Sequence, residues 1–325
     1  EKRGRGGYWL RNSLVLFQFT ICIIFITGTL VVNRQLNYMM TMDLGFDGDQ
    51  VLVLHRAEGL GENHRVFKEQ LLAIPDVQYV SYSYNTPARH HSGQGHHVKG
   101  DPQHVTPNLQ VAWGDFDFVR TLGLKLVVGR DFDRNIITDR YTAIINETAA
   151  RSLEWEEGSP IVFDESPEPA VDSVDYTVIG VVKDFHFAHL DQDIDRWILY
   201  PLREDIMDYA FYINVKLNSA QLTKTLKRIE SLWKEYSDGF PFEYTFLDED
   251  FMLLFEKEMR AKKIFSWVSV FAILIACMGL LGLAAYTANQ KTKQIGIRKA
   301  MGSTSYEVLV MLSKQFSKLV LISAI

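Results

Sequence analysis

Two stretches of the chain carry no charged residue: Leu14 to Val32, 19 residues, and Ile264 to Ala288, 25 residues. At 1.5 Å per residue, helices over these runs would span about 28 Å and about 37 Å, and the hydrocarbon core of a bilayer is roughly 30 Å thick. Both therefore read as transmembrane helices. The residues between them, Asn33 to Lys263, are polar and acidic, so the chain is a membrane protein with a large insert. The overall composition, 47% hydrophobic and 23% charged, averages two different materials. Alone it excludes only disordered and collagen-like chains.

Sidedness follows from the cations beside each run, because cytoplasmic flanks carry the excess of Lys and Arg. Lys2, Arg3, Arg5 and Arg11 precede the first run, and Lys291, Lys293, Arg298 and Lys299 follow the second. Both flanks are thus expected in the cytoplasm and the insert outside it. The insert holds 24 Lys+Arg against 38 Asp+Glu, a net of −14, while the rest of the chain holds 10 against 2, a net of +8. Cys22 and Cys277 lie one in each run, so no disulfide framework is expected in the insert.

Hydrophobic periodicity divides the insert further. The first helix continues outward as a stalk over 33–45, and a second stalk over 248–263 places Phe251, Leu254, Phe255 and Met259 at helical spacing. Val51 to His55, Asn63 to Ile74 and Val77 to Tyr84 read as strand, helix and strand. Ala210 to Leu217, Ala220 to Tyr236 and Phe242 to Leu247 read the same way. The expected fold is an α+β extracytoplasmic domain over 46–247, made of two β-α-β halves with a mainly-β subdomain inserted at about 86–207. It would stand on an α-helical transmembrane bundle (14–32 and 264–288) through the two stalk helices. Residues 1–13 form a basic cytoplasmic flank, 289–304 a cytoplasmic segment, and 305–325 the start of a further span. The missing initial Met and that unfinished span suggest a piece of a longer protein.

The residues Thr287 to Ser303, following Gly279-Leu-Leu-Gly-Leu283, resemble the cytoplasmic segment of FtsX-like and MacB-like permeases of ATP-binding cassette (ABC) systems. Within the insert, Val128 to Phe132, Ala143 to Ala150 and Tyr176 to His186 resemble the MacB-like periplasmic core domain. Arg11 to Gln18 and Gln35 to Leu44 resemble the opening of the second half of a duplicated permease. One departure is Glu154 to Phe163, where the family has a short Asp/Asn-Pro-x-Gly-Lys turn and this chain has Trp155-Glu-Glu-Gly-Ser-Pro160.

The resemblance implies a multi-pass inner-membrane subunit, with its large domain in the periplasm, that exports or extracts a substrate without itself being an enzyme. ATP would be bound and hydrolysed by a partner ABC subunit, and no cofactor is expected in this chain. A second permease half or homodimer mate, the lipid bilayer and a periplasmic partner complete the expected contacts. The residues agree independently: no Gly-x-x-x-x-Gly-Lys-Ser/Thr loop occurs to cradle phosphates. Lys291, Lys293, Gln294, Ile295, Gly296, Ile297, Arg298, Lys299, Ala300, Met301 and Gly302 are the expected ATPase-coupling surface, and Thr304 to Glu307 reads as a capping box opening the next helix. A basic loop lying on anionic lipid is the plainer alternative for the same residues. Two other functions fit a membrane-anchored exported domain: an FtsX-like signalling regulator of a periplasmic partner, and a binding or sensor module. The acidic insert disfavours nucleic acid.

Other signals are weaker. Ala272, Ala276, Gly279 and the adjacent Gly282 form a small-residue face suited to close helix packing, either on the first span or on another permease half. His90, His91, His96, His97 and His104 suggest a metal site, but adjacent histidines in a Gly-rich loop do not converge on one ion, and a solvated loop is expected. Asp191 to Asp195 lacks the Gly and Glu of a calcium loop. Asp115 with Asp117, and Asp131 with Asp133, are expected to share solvated strand faces. Asp184 and His186 are expected to be structural.

Overall fold

The computed structural model describes residues 4–89, 92–98, 107–156, 160–163, 176–188, 193–218, 221–304, 306, 307 and 310. The chain divides into two units, Glu1–Thr41 with Phe255–Ile325, and Met42–Leu254. The first element, α1 (Gly4–Thr41), is one unbroken helix of 38 residues, about 57 Å long. It contains the uncharged run and nine of the thirteen residues of the expected stalk. The helix stops at Thr41 rather than Gly45, where Asp43 accepts the Gly45 N–H at 3.0 Å and Gly45 takes a φ of +83°. A side chain there would collide with the backbone of Asp184 and Phe185.

From Met42 onward, short strands and helices alternate. The first stretch gives β1 (Val51–His55), α2 (His64–Leu72) and β2 (Val77–Ser83). The middle gives β3 (Ser92–Val98), β4 (Asn108–Gly114), α3 (Phe118–Thr121), β5 (Leu126–Gly129), β6 (Thr142–Asn146), α4 (Glu147–Ser152), β7 (Pro160–Phe163), β8 (Tyr176–Val182) and β9 (Trp197–Pro201). The last stretch gives β10 (Tyr212–Leu217), α5 (Leu222–Tyr236), β11 (Tyr244–Phe246) and α6 (Leu247–Leu254). Helix and strand ends fall up to two residues inside the expected ones, the usual uncertainty of fraying termini.

The two β-α-β units interlock. Strands run β11-β1-β10-β2, every neighbour antiparallel, so β10 lies between β1 and β2, and β1 between β10 and β11. Among the described residues the middle segment holds seven strands, β3 to β9. They join the same sheet through a single pair, Ser83 opposite Gly114. Their pairing runs β4-β3-β7-β8-β6-β9 and then returns to β4, where Val111 lies opposite Ile198 in a parallel ladder. Six strands thus close on themselves, which removes the open edges that an isolated β insert would expose. Strand β5 adds to β8, and Gly129, with φ +73°, turns the chain away where a Cβ would meet the Ile179 carbonyl.

Period-2 alternation assigns each strand face to a core. Leu109 and Val111, Ala143 and Ile145, Tyr176 and Val178, and Ile198 and Tyr200 fill one cluster. The alternate residues Ala112, Ile144, Trp197 and Leu199 enter a second, with Phe118, Phe185 and Phe251. A third packs Phe67 and Leu71 of α2 and Ile229 and Trp233 of α5 on Leu52, Leu54, Ile213 and Val215. Phe67 and Trp233 meet edge to face at 5.8 Å. Strand β1 is buried on both faces, which explains its uninterrupted Val-Leu-Val-Leu run.

The expected second stalk is not one helix. Leu247 and Phe251 of α6 are buried in the soluble core, and the helix breaks at Phe255, with φ −99° and ψ 13°. Beyond it runs α7 (Glu256–Gln290), 35 residues. Leu16–Met39 and Met259–Gln290 are the two stretches long and apolar enough to cross a membrane among the described residues. Most of the expected third span, residues 305–325, lies outside the described residues.

Candidate functional site

The segment after the second long helix is built by local rules. Helix α7 ends at Gln290, and after the single residue Lys291 α8 (Thr292–Ala300) begins. The Thr292 hydroxyl donates to the carbonyls of Ala288 and Asn289, at 3.1 and 2.7 Å. At the far end Gly302 adopts φ +95°, a left-handed conformation that Gly takes without strain. Its N–H donates to the Lys299 carbonyl at 3.1 Å, and the Ser303 N–H reaches Arg298 at 3.0 Å. This is a Schellman termination. Arg298 and Lys299, in the last turn, face the negative end of the helix dipole. Thr304 and Glu307 then form a capping box, the Thr304 N–H donating to the carboxylate at 3.1 Å and the Glu307 N–H to the hydroxyl at 3.3 Å.

All eleven residues from the sequence reading therefore fall on one helix and its two end turns. Lys293, Gln294, Gly296, Arg298, Lys299, Ala300 and Gly302 are exposed, and Lys291 and Ile295 half-exposed. Ile297 is 52% exposed and Met301, one turn on, is 75% exposed. Two apolar side chains at i and i+4, flanked by four cations, form a surface suited to docking.

The small-residue face lies partly against α1. Ala276 is buried, Ala272 accepts a hydrogen bond from the Cys22 thiol at 3.0 Å, and a Cβ on Gly279 would stand 2.6 Å from Gln18 Oε1. Thr29 and Ser269 share a hydroxyl hydrogen bond at 2.8 Å. The partner numbers fall on α7 as they rise on α1, so the pair is antiparallel. Gly282 has nothing within 4 Å of the Cβ it lacks and does not join this contact.

The soluble unit holds ionic clusters that periodicity did not reveal. Asp115 and Asp117 lie beyond the end of β4, not on a solvated strand face. Lys68 Nζ donates to Asp115 Oδ2 at 2.6 Å and to Asp117 Oδ2 at 2.7 Å, and Arg134 also pairs with Asp117. Lys68 had a visible signal: it sits beside Phe67 on the buried side of α2. Burial pushes the Asp115 carboxyl above the ordinary range, and Lys68 opposes that rise. Arg89 grips Asp250 of α6 with two hydrogen bonds, at 2.6 and 2.5 Å, and Thr245 joins Asp250 to His55. Burial, followed by Arg89, lowers the His55 pKa. Asp184 accepts the N–H and hydroxyl of Thr148 at the start of α4, each at 2.8 Å, a capping role.

His96 is buried and stacked on Tyr200, with Nδ1 2.7 Å from the Gln94 carbonyl oxygen, so it is not part of a solvated loop. The side chain of His97 and all of His90, His91 and His104 lie outside the described residues, as do Asp191 and Gln192. Among the described residues no three His, Cys, Asp or Glu side chains stand together as metal ligands.

Asp131 titrates at about 6, raised from 3.8 chiefly by burial. Its folded pKa exceeds its unfolded one, so the folded unit binds more protons between those values and loses stability as pH rises through that window. Asp131→Asn is expected to stabilise the unit by about 1 kcal/mol at pH 7.5, after allowance for solvent screening. The gain should vanish below about pH 4. Melting curves of both proteins across that range check it.

A family model described as the MacB-like periplasmic core domain matches residues 14–232. A protein of Chromobacterium violaceum named macrolide export ATP-binding/permease protein MacB is 20% identical over 308 residues, covering 92% of this chain and 46% of its own. The protein of that name from Neisseria gonorrhoeae is 20% identical over 311 residues, with the same coverage. The chain thus spans about half the length of the curated relatives it matches. The crystal structure of the periplasmic region of MacB from Actinobacillus actinomycetemcomitans has a TM-score of 0.45 and 14% identity, covering 67% of this chain and 98% of that one.

Proposed function

The chain belongs to the MacB-like periplasmic core domain family, and from that premise we propose that it is the permease part of an ABC transporter. In this reading α8 docks on a cytoplasmic ATP-binding partner, and α1 and α7 cross the inner membrane and carry the partner's motion to the periplasmic unit. The observation that carries the proposal is α8 itself, an exposed basic helix with Ile297 and Met301 uncovered, set directly after a span-length helix and stopped by Gly302. A Schellman turn at Gly302 ends α8, and the Thr304–Glu307 capping box follows.

In this reading the ATP-binding partner hydrolyses ATP. A second permease half, or a second copy, packs on the face of α7 that α1 leaves open, around Gly282, Met278 and Leu281. Export or extraction is the work performed.

The double substitution Ile297→Glu with Met301→Glu tests the docking surface. Introducing two carboxylates into an apolar contact is expected to weaken co-purification of the ATP-binding partner at least about tenfold. The melting temperature of the soluble unit should not move. Undiminished recovery of the partner would sink the proposal.

A further inference from the structure

A cleft of about 570 Å³ opens in the soluble unit where the first β-α-β unit meets the middle segment. Its lining comes from α2, the end of β2, the turn after β4 and the segments 134–140 and 202–207. Clefts of this volume at the seam of two substructures are usual places for small ligands.

The chemistry of the lining is unlike its surroundings. The insert as a whole is acidic, 24 cations against 38 carboxylates, yet the cleft is lined by five cations and three carboxylates. Lys68 sits between Asp115 and Asp117, and Arg134 pairs with Asp117, so these two cations and two carboxylates balance. That leaves Arg65, which pairs with Glu69, and Arg140 and Arg203 beside Glu204 and Asp205. Arg65, Arg134 and Arg203 each meet a carboxylate in a pair with at least one well-exposed side chain, and such pairs hold their partners weakly. Arg140 is exposed and forms no ion pair within 4 Å among the described residues, although its charge acts on Asp205. Guanidinium groups take carboxylates and phosphates in bidentate fashion. Beside them stand apolar side chains, Ile136, Ile137 and Met207, of which Ile137 is 79% exposed.

We propose that this cleft binds a small anionic amphiphile, a phosphate or carboxylate joined to an apolar chain. Arg140 takes the anion, and Ile136, Ile137 and Met207 take the chain. The inference does not depend on the docking of α8, and its failure would leave that reading intact.

The test uses the full chain in nanodiscs of neutral phosphatidylcholine, titrated calorimetrically with hexyl phosphate, with empty nanodiscs as the blank. Inorganic phosphate and hexylammonium are the control probes. Saturable binding of hexyl phosphate is expected, weakened by salt, with inorganic phosphate weaker and hexylammonium absent. Arg140→Ala should weaken both phosphates about tenfold. Ile137→Ser should weaken hexyl phosphate alone. Both side chains are exposed, so an unchanged melting temperature shows that each variant is folded. Equal binding of inorganic and hexyl phosphate would overturn the apolar half of the site. Binding of hexylammonium, unchanged affinity in Arg140→Ala, or no saturable binding at millimolar hexyl phosphate would overturn the site itself.

Discussion

Replacing Lys68 with Met is expected to destabilise the soluble unit by about 3–5 kcal/mol at pH 7.5, the usual loss when one partner of a buried ion pair is removed. The Asp115 side chain is 5% exposed, and Lys68 Nζ is its near cation at 2.6 Å, with Arg134 at 4.0 Å. Without the ammonium, the buried carboxylate keeps its desolvation cost and loses its compensation. Its pKa, already raised by burial, rises further. The sign of the pH dependence follows. A folded pKa above the unfolded one means stability that falls as pH rises between the two, so the deficit of the variant is largest at neutral pH and shrinks toward pH 4. Urea denaturation at pH 7.5 and pH 4.5 measures both quantities. Adding Asp115→Leu to Lys68→Met should recover part of the loss, because an apolar pair leaves no buried charge. A loss below about 1 kcal/mol at pH 7.5 would show that the carboxylate finds water instead.

The second large effect lies at α6. Arg89 holds both oxygens of Asp250, whose side chain is 1% exposed, and Thr245 donates to the same carboxylate. Arg89→Met strands that carboxylate and is expected to cost about 3–5 kcal/mol. The loss should concentrate where the bond acts. Amide exchange over Leu247–Leu254 should accelerate more than exchange in β1 or β10, because α6 is tied to the sheet by Leu247, Phe251 and this pair. His55 provides an independent readout. Burial lowers its pKa, with Arg89 adding to the effect, so removing the guanidinium should move its titration to higher pH. An NMR titration that left His55 unmoved would show that Arg89 does not reach it.

How much of this could be read from the sequence depended on whether the signal was local. The uncharged runs gave α1 and α7 because span length is written in composition. The β-α-β units were legible because Val51 to His55 and Phe67 with Leu71 carry strand and helix periods. The end of α8 was legible too, since Gly302 and the Thr304 with Glu307 spacing are terminal signals with a mechanism. Pairings between distant segments were not. Nothing local announces that Ser83 meets Gly114, or that β9 returns to β4 to close the ring. The same limit explains the charges. Asp115 and Asp117 look like a solvated alternation until Lys68, 47 residues earlier, is placed beside them. Asp250 has no local sign of its partner, because Arg89 is brought to it across 161 residues. The break at Phe255 was hidden because the helical period runs through it, while Leu247 and Phe251 are held by a core that only the tertiary fold supplies.

The central claim is that α8 docks on an ATP-binding partner, and the most direct measurement is site-specific crosslinking from its exposed apolar residue. A photoreactive amino acid at Ile297 of the full-length protein, illuminated in native membranes and analysed by mass spectrometry, should yield adducts carrying peptides of an ABC ATP-binding domain. Adducts to lipid alone would contradict the claim and make α8 a helix that lies on the membrane surface.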